Sequence, residues 1–316
     1  MESSVALLLS GLVLLALSGE ALIRGAVTTA LAFRLPPLII GLTIIALGTS
    51  APEFTVSVQA ALVGQADIAI GNVIGSNIAN ILLVLGVMAL LNPFQVSGET
   101  LKRDGRVMLM VSALLVAMAY WGMISALMGA GLLLALLVYM MALYRGAQSE
   151  SQGNKEASEN VTENVLPGGL WLAVPVLIAG LIGIIWGADL MVTGAIQLAR
   201  GFGVSEAVIA LSIVAIGTSL PELAVSIVAS LRGQAGLAVG NIIGSNISNI
   251  LLILGGTSLL APLAISDVLA NRDVWVMLGV AILGVYFMST GRTMSRLEGG
   301  ICVALYISYI GFIYGA

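Results

Sequence analysis

The sequence predicts an all-α membrane protein of ten transmembrane helices, arranged as two inverted five-helix repeats with broken helices at the bilayer midplane. Three observations predict it. The 316 residues are 59% hydrophobic and only 9% charged, with a mean hydropathy of +1.10, whereas a soluble domain carries about a quarter charged residues. Ten apolar stretches approach the roughly 20 residues that a membrane-crossing helix needs. Finally, a long segment of the first half recurs in the second at a fixed offset.

The stretches run in order through 5–23, 37–63, 67–91, 107–122 and 125–144, then 168–190, 206–231, 236–260, 274–289 and 299–315. The first has the apolar core of a secretory signal but lacks its positive start, and its "SGEALIRGA" recurs as "GADLMVTGA" deep in the chain. A retained first helix is therefore expected. Residues 1–145 form the first repeat and 168–316 the second. Between them "GAQSESQGNKEASENVTENVLP" (146–167) is polar and acidic, the composition of a linker.

Residues 46–86 align without gaps on 215–255 at an offset of 169, with 27 identities in 41 positions. "GTSAPE" meets "GTSLPE", and "GNVIGSNIAN" meets "GNIIGSNISN". Internal similarity in a membrane chain marks a duplicated transporter fold. Five spans per half is odd, so the halves enter the membrane from opposite sides. With the N-terminus outside, ten basic residues fall inside (Arg24, Arg34, Lys102, Arg103, Arg106, Arg145, Lys155, Arg232, Arg292 and Arg296) and two, Arg200 and Arg272, fall outside. The excess of Lys and Arg belongs on the cytoplasmic side. Both termini are thus expected outside and the linker inside, in the cell membrane.

Each repeat carries a carboxylate in mid-span beside a proline. Pro52 and Pro221 have no N–H for the carbonyls of Gly48 and Gly217, and unbonded carbonyls at membrane depth need another partner. A bound cation is one such partner. Ala46, Ser50, Glu53 and Ser57 share a helix face by steps of four, three and four, and Asn72, Ser76 and Asn80 share another. The second half repeats both stripes as Ala215, Ser219, Glu222, Ser226 and Asn241, Ser245, Asn249. An ionised residue at the bilayer centre costs several kcal/mol, and no Lys or Arg lies at comparable depth, so Glu53 and Glu222 read as cation ligands. Ser57, Ser226, Asn72 and Asn241 serve equally well as ligands or as polar ties between helices. Asn77 and Asn246 lie off the stripe and read as ties. Glu20, four residues before Arg24, reads as a surface pair; Asp189, opposite it in the repeat, has Thr193 where that arginine would be.

The oxygen-only inventory suits hard cations such as Na⁺ or Ca²⁺. Histidine, the commonest metal ligand and proton shuttle, is absent. The single Cys302 leaves no internal disulfide. No phosphate loop, dinucleotide fingerprint or basic nucleic-acid patch is present. The expected partners are the transported ions and the lipid bilayer, with no prosthetic group, no nucleic acid and no obligate protein partner evident.

With its paired signatures "GTSAPE…GNVIGSN" and "GTSLPE…GNIIGSN", the chain closely resembles the sodium/calcium exchanger branch of the calcium/cation antiporter superfamily, in its compact prokaryotic form. The resemblance covers essentially all ten spans. It implies that Glu53 and Glu222 bind Ca²⁺ and Na⁺ alternately, that Thr49 and Thr218 complete the calcium shell, and that the carbonyls of Ala46 and Ala215 with Ser50, Ser76, Ser219 and Ser245 form flanking sodium sites. Asn80 and Asn249 match polar residues at the centre. It further implies three Na⁺ exchanged per Ca²⁺, with the first and sixth spans as moving parts. Some members, including potassium-dependent ones, carry Asp where this chain has Asn249, which argues against potassium co-transport here. The 22-residue linker cannot hold the calcium-sensing domain of animal members. A proton/cation antiporter on the same scaffold is the alternative; proton-coupled relatives typically carry Gly-Asn-x-x-Glu at the signature. An intramembrane acid protease or a channel fits these residues less well, and no enzyme is expected.

Overall fold

The structure, a computed structural model, describes residues 2–151, 165–202 and 217–315. It is helical apart from four two-residue strands. The helices are α1 Glu2–Ala32, α2 Pro37–Thr49, α3 Ala51–Leu62, α4 Ala66–Leu91, α5 over 98–119, α6 Ala126–Ser151, α7 Gly169–Gly201, α8 Leu220–Leu231, α9 Ala235–Leu260, α10 Leu269–Arg292 and α11 Arg296–Gly315. The strands are β1 Phe94–Gln95, β2 Met123–Ile124, β3 Leu263–Ala264 and β4 Thr293–Met294.

Seven helices are long and apolar enough to cross a bilayer, and α2 with α3, bent by 42° between them, makes an eighth span. The two other expected spans fall on α5 and α8. The first turns of α5 hold Glu99, Lys102, Arg103, Asp104 and Arg106, and the α-helical segment Arg106–Ala119 that carries its apolar run has only 14 residues. Helix α8 has 12 residues; 203–216, which precede it and include Ala215, lie outside the described residues, as does 152–164 of the linker.

The sequence repeat recurs in the elements themselves. Helices α3 and α8 share their bounds at the offset of 169, and so do α4 and α9. Both turns between them contain a glycine in the left-handed region, Gly64 (φ +78°) and Gly233 (φ +71°), which is why "GQA" stands in each half: a helix commonly ends on such a residue, and glycine adopts it without a Cβ clash. Each long helix contains one π-helical segment, Asn80–Leu85 in α4 and Asn249–Leu254 in α9.

The halves interlock. Strand β1 pairs with β4 and β2 with β3, each sheet taking one strand from each half. Asn92 Nδ2 donates to the carbonyl of Ser230 (2.9 Å), and Arg232 Nε meets Glu20 Oε2 at 2.6 Å. The amide of Leu166 donates to Thr28 Oγ1 (2.9 Å), and that of Ser266 to Asp67 Oδ1 (3.2 Å). Each of these contacts joins segments that the lysine and arginine count assigns to the same face, the β2–β3 pair and Ser266–Asp67 on one side and the others on the opposite side.

Burial orders the helices. In α9, 94% of the membrane-length window is buried and in α4 78%, against 22% in α7 and 17% in α11. The core is thus the two helices that carry the asparagine stripes. Outside it, α1 and α7 lie against each other along their lengths. A Cβ on Gly180 would stand 2.6 Å from the Leu22 nitrogen, and one on Gly25 2.6 Å from the Leu177 nitrogen. Such backbone-to-backbone approach replaces the hydrophobic drive that lipid does not supply.

Candidate ion-binding site

The bend between α2 and α3 is made at Ser50 (φ −80°, ψ 6°), and Ser219 (φ −87°, ψ 3°) repeats that backbone before α8. Pro52 and Pro221 are the second residues of the new helices. The first four N–H groups of a helix have no partner within it, so a proline there forfeits nothing and presets the backbone. The break expected beside each proline is present, and the chain restarts one residue before it. One turn before the bend, the carbonyl of Ala46 accepts from the Ser50 amide at 3.1 Å and from Thr49 Oγ1 at 3.5 Å.

A carboxylate one residue after each proline sits in the first turn of its helix, at the positive end of the helix dipole. Glu53 and Glu222 are each 1% exposed. Ser50, from the first half, donates to Glu222 Oε1 at 3.2 Å, and Ser245 donates to the same oxygen at 3.4 Å. The first hydrogen bond ties the bend of one half to the carboxylate of the other. Among the described residues neither carboxylate has an ion-pair partner.

On the core helices, Asn80 Nδ2 donates to Asn246 Oδ1 (3.2 Å) and Asn249 Nδ2 to Asn77 Oδ1 (3.0 Å). Asn77 and Asn246, set aside as ties, thus engage the two central asparagines. Among the described residues, buried oxygens without a hydrogen bond then remain on the candidates Glu53 (Oε2), Glu222 (Oε2), Asn80 (Oδ1), Asn249 (Oδ1) and Ser219 (Oγ), and otherwise on Thr29, Ser248 and Thr257. A lone acceptor left unsatisfied costs about 1–3 kcal/mol. Matched ones on both repeats, with two carboxylates among them, form a donor set suited to a hard cation. Among the described residues no cluster of three His, Cys, Asp or Glu exists; this donor set is two carboxylates with amides and hydroxyls.

The remaining candidates divide. Ser76 and Ser245 are buried, and Thr218 is half-buried next to Ser219. Thr49 Oγ1 donates to Asn241 Oδ1 (3.3 Å). Asn72 Nδ2 donates to Ser57 Oγ (3.0 Å) and to the Glu53 carbonyl (3.1 Å), and Asn241 Nδ2 to Ser226 Oγ (3.3 Å). These four residues therefore tie α3 to α4 and α8 to α9. Glu20 pairs with Arg24 at 2.6 Å as expected, and also with Arg232, which the sequence reading left out. Two further pairs were missed: Arg103 grips the buried Asp104 through Nε (2.9 Å) and Nη2 (3.1 Å), and Arg272 grips Asp273 likewise. Their recurrence at the 169 offset was the available signal.

The family model described as "Sodium/calcium exchanger protein" matches residues 3–145 and 172–315. The inner membrane protein YrbG of Escherichia coli K12 is 40% identical over 287 residues, 89% of this chain and 87% of that protein. The sodium/calcium exchanger MaX1 of Methanosarcina acetivorans is 32% identical over 98% of this chain and 97% of its own. A solved structure of the sodium-calcium exchanger NCX_Mj, soaked with 2.5 mM Na⁺ and 0.1 mM Ca²⁺, superimposes with a TM-score of 0.82 at 32% identity, covering 98% of this chain and 97% of that one. With both halves matched and the fold shared throughout, the chain belongs to the sodium/calcium exchanger family of membrane cation antiporters.

Proposed function

We propose that this protein exchanges Na⁺ for Ca²⁺ by alternating access, with the two ions competing for one midplane site built on Glu53 and Glu222. The observation that carries the proposal is the pair of buried carboxylates, each with an oxygen that accepts no hydrogen bond, on elements joined by Ser50 and Glu222. One Ca²⁺ or two Na⁺ neutralise the pair, so the ions exclude each other. A third Na⁺ at the flanking oxygens would move one net charge per cycle, worth roughly 2.3 kcal/mol at 100 mV. That would drive calcium out of a cell with a negative interior.

The scaffold for this cycle is ten spans in two inverted repeats, 1–145 and 168–316, joined by a cytoplasmic linker at 146–167, with both termini outside in the cell membrane. The ten-to-two distribution of basic residues supports that orientation. The seam between α1 and α7 supports their moving as one body against the core. Calcium uptake into proteoliposomes under an imposed Na⁺ gradient tests the proposal. Uptake that follows the gradient, sums with membrane potential and is lost in Glu53→Gln and Glu222→Gln is expected. Uptake driven by a proton gradient and indifferent to Na⁺ would replace it with the proton-coupled alternative.

A further inference from the structure

We propose that Asn77 and Asn246 are positioning residues that turn the side-chain oxygens of Asn249 and Asn80 toward the transported cation, with Met277 and Met108 fixing the direction; the inference rests on the cation-site reading above. An asparagine amide has two unlike ends. Its oxygen can ligate a cation, while its NH₂ group only donates and would repel one. Something must therefore decide which end faces the ion.

The decision starts at a sulfur. Asn77 Nδ2 lies 3.6 Å from the sulfur of Met277, and Asn246 Nδ2 lies 3.5 Å from that of Met108. A thioether can only accept, so the amide end facing it must be the NH₂. The Asn77 oxygen then faces outward and takes the NH₂ of Asn249 at 3.0 Å, and the Asn246 oxygen takes that of Asn80 at 3.2 Å. With their NH₂ groups held, the oxygens of Asn80 and Asn249 are the ends left over, and both are buried without a hydrogen bond. Each chain from methionine to the central asparagine crosses between halves, and the two are related position by position at the repeat offset. Asn77 Nδ2 also donates to the Asn246 carbonyl at 3.3 Å, which ties the chains together. None of these four residues needs to touch the ion.

Removal of a group that orients a ligand typically costs 10- to 100-fold in metal affinity. Asn77→Ala and Asn246→Ala should each raise the KM for Ca²⁺ in Na⁺-driven uptake by about tenfold or more, with a smaller change in maximal rate. A structural role would lower the amount of folded protein instead, which size-exclusion and thermal melting report. A carboxylate presents oxygen at either end and needs no orienting partner. Asn80→Asp should therefore restore the KM of Asn246→Ala, and its gain there should exceed its gain on the wild type, a double-mutant cycle with a defined sign. Asn249→Asp should act likewise on Asn77→Ala. If the alanine variants fail to fold, Met108→Leu removes only the sulfur acceptor at similar volume and should still raise the KM. Wild-type KM in the folded single variants, or an equal gain from Asn80→Asp in both backgrounds, overturns the inference. A wild type without Na⁺-dependent uptake overturns instead the cation-site reading beneath it.

Discussion

Ser50→Ala removes one hydroxyl and tests whether the two halves share a site. In the wild type Glu222 Oε1 accepts from Ser50 at 3.2 Å and from Ser245 at 3.4 Å. A hydrogen bond to a charged group contributes about 1.5–3 kcal/mol. Both distances exceed the usual 2.5–3.0 Å for O–H···O, which places the Ser50 bond near the lower bound. About 1.5 kcal/mol is roughly a tenfold change in an equilibrium constant, so the KM for Ca²⁺ should rise about tenfold in Ser50→Ala. Ser245→Ala, at the longer distance, should raise it less. The double variant should fall short of the product of the two effects, because both hydroxyls serve one oxygen. Ser226→Ala is the control: its hydroxyl accepts from Asn241 Nδ2 and has no hydrogen bond to either glutamate. The assay is Na⁺-driven ⁴⁵Ca²⁺ uptake into proteoliposomes across a calcium series. A wild-type KM in Ser50→Ala, or an equal rise in Ser226→Ala, would refute the cross-half coordination and leave Ser50 as packing.

Three other outcomes are expected. A cysteine introduced by Gln152→Cys in a Cys302→Ala background should be protected from an impermeant maleimide in intact cells; ready labelling would reverse the membrane orientation. Glu20→Gln and Arg232→Gln should each keep substantial exchange and shift thermal stability little, since partly exposed ion pairs contribute only about 0–1 kcal/mol; loss of transport at full expression would give that pair a role in the cycle. Asn249→Asp adds a third carboxyl at the centre, so exchange should become more sensitive to pH or acquire potassium dependence, while the wild type exchanges with or without K⁺; potassium-dependent wild-type flux would put a cation ligand outside the proposed set.

Much of the core was legible because duplication made it so. The 169-residue offset placed α3, α4, α8 and α9 with shared bounds, and the two glutamates stood out because a carboxylate at membrane depth has few structural reasons to be there. What stayed hidden depended on contacts across the halves. Asn77 and Asn246 read as ties from their place off the stripe, and they are ties, but that each meets a central asparagine of the other half could not be read from spacing along one helix. The break beside each proline was legible from the proline itself, whereas the residues on which the backbone bends, Ser50 and Ser219, were not. Arg232 as a second partner of Glu20 lies 212 positions away along the chain, beyond any periodicity.

The most direct measurement is equilibrium binding of ⁴⁵Ca²⁺ to the purified protein at increasing Na⁺, for the wild type, Glu53→Gln and Glu222→Gln. Two carboxylates serving both ions predict Ca²⁺ binding that Na⁺ displaces cooperatively, with more than one Na⁺ per Ca²⁺ released, and binding lost in either glutamine variant although each remains folded. Undiminished Ca²⁺ binding in both variants, or binding that Na⁺ leaves unchanged, would contradict a shared site at Glu53 and Glu222.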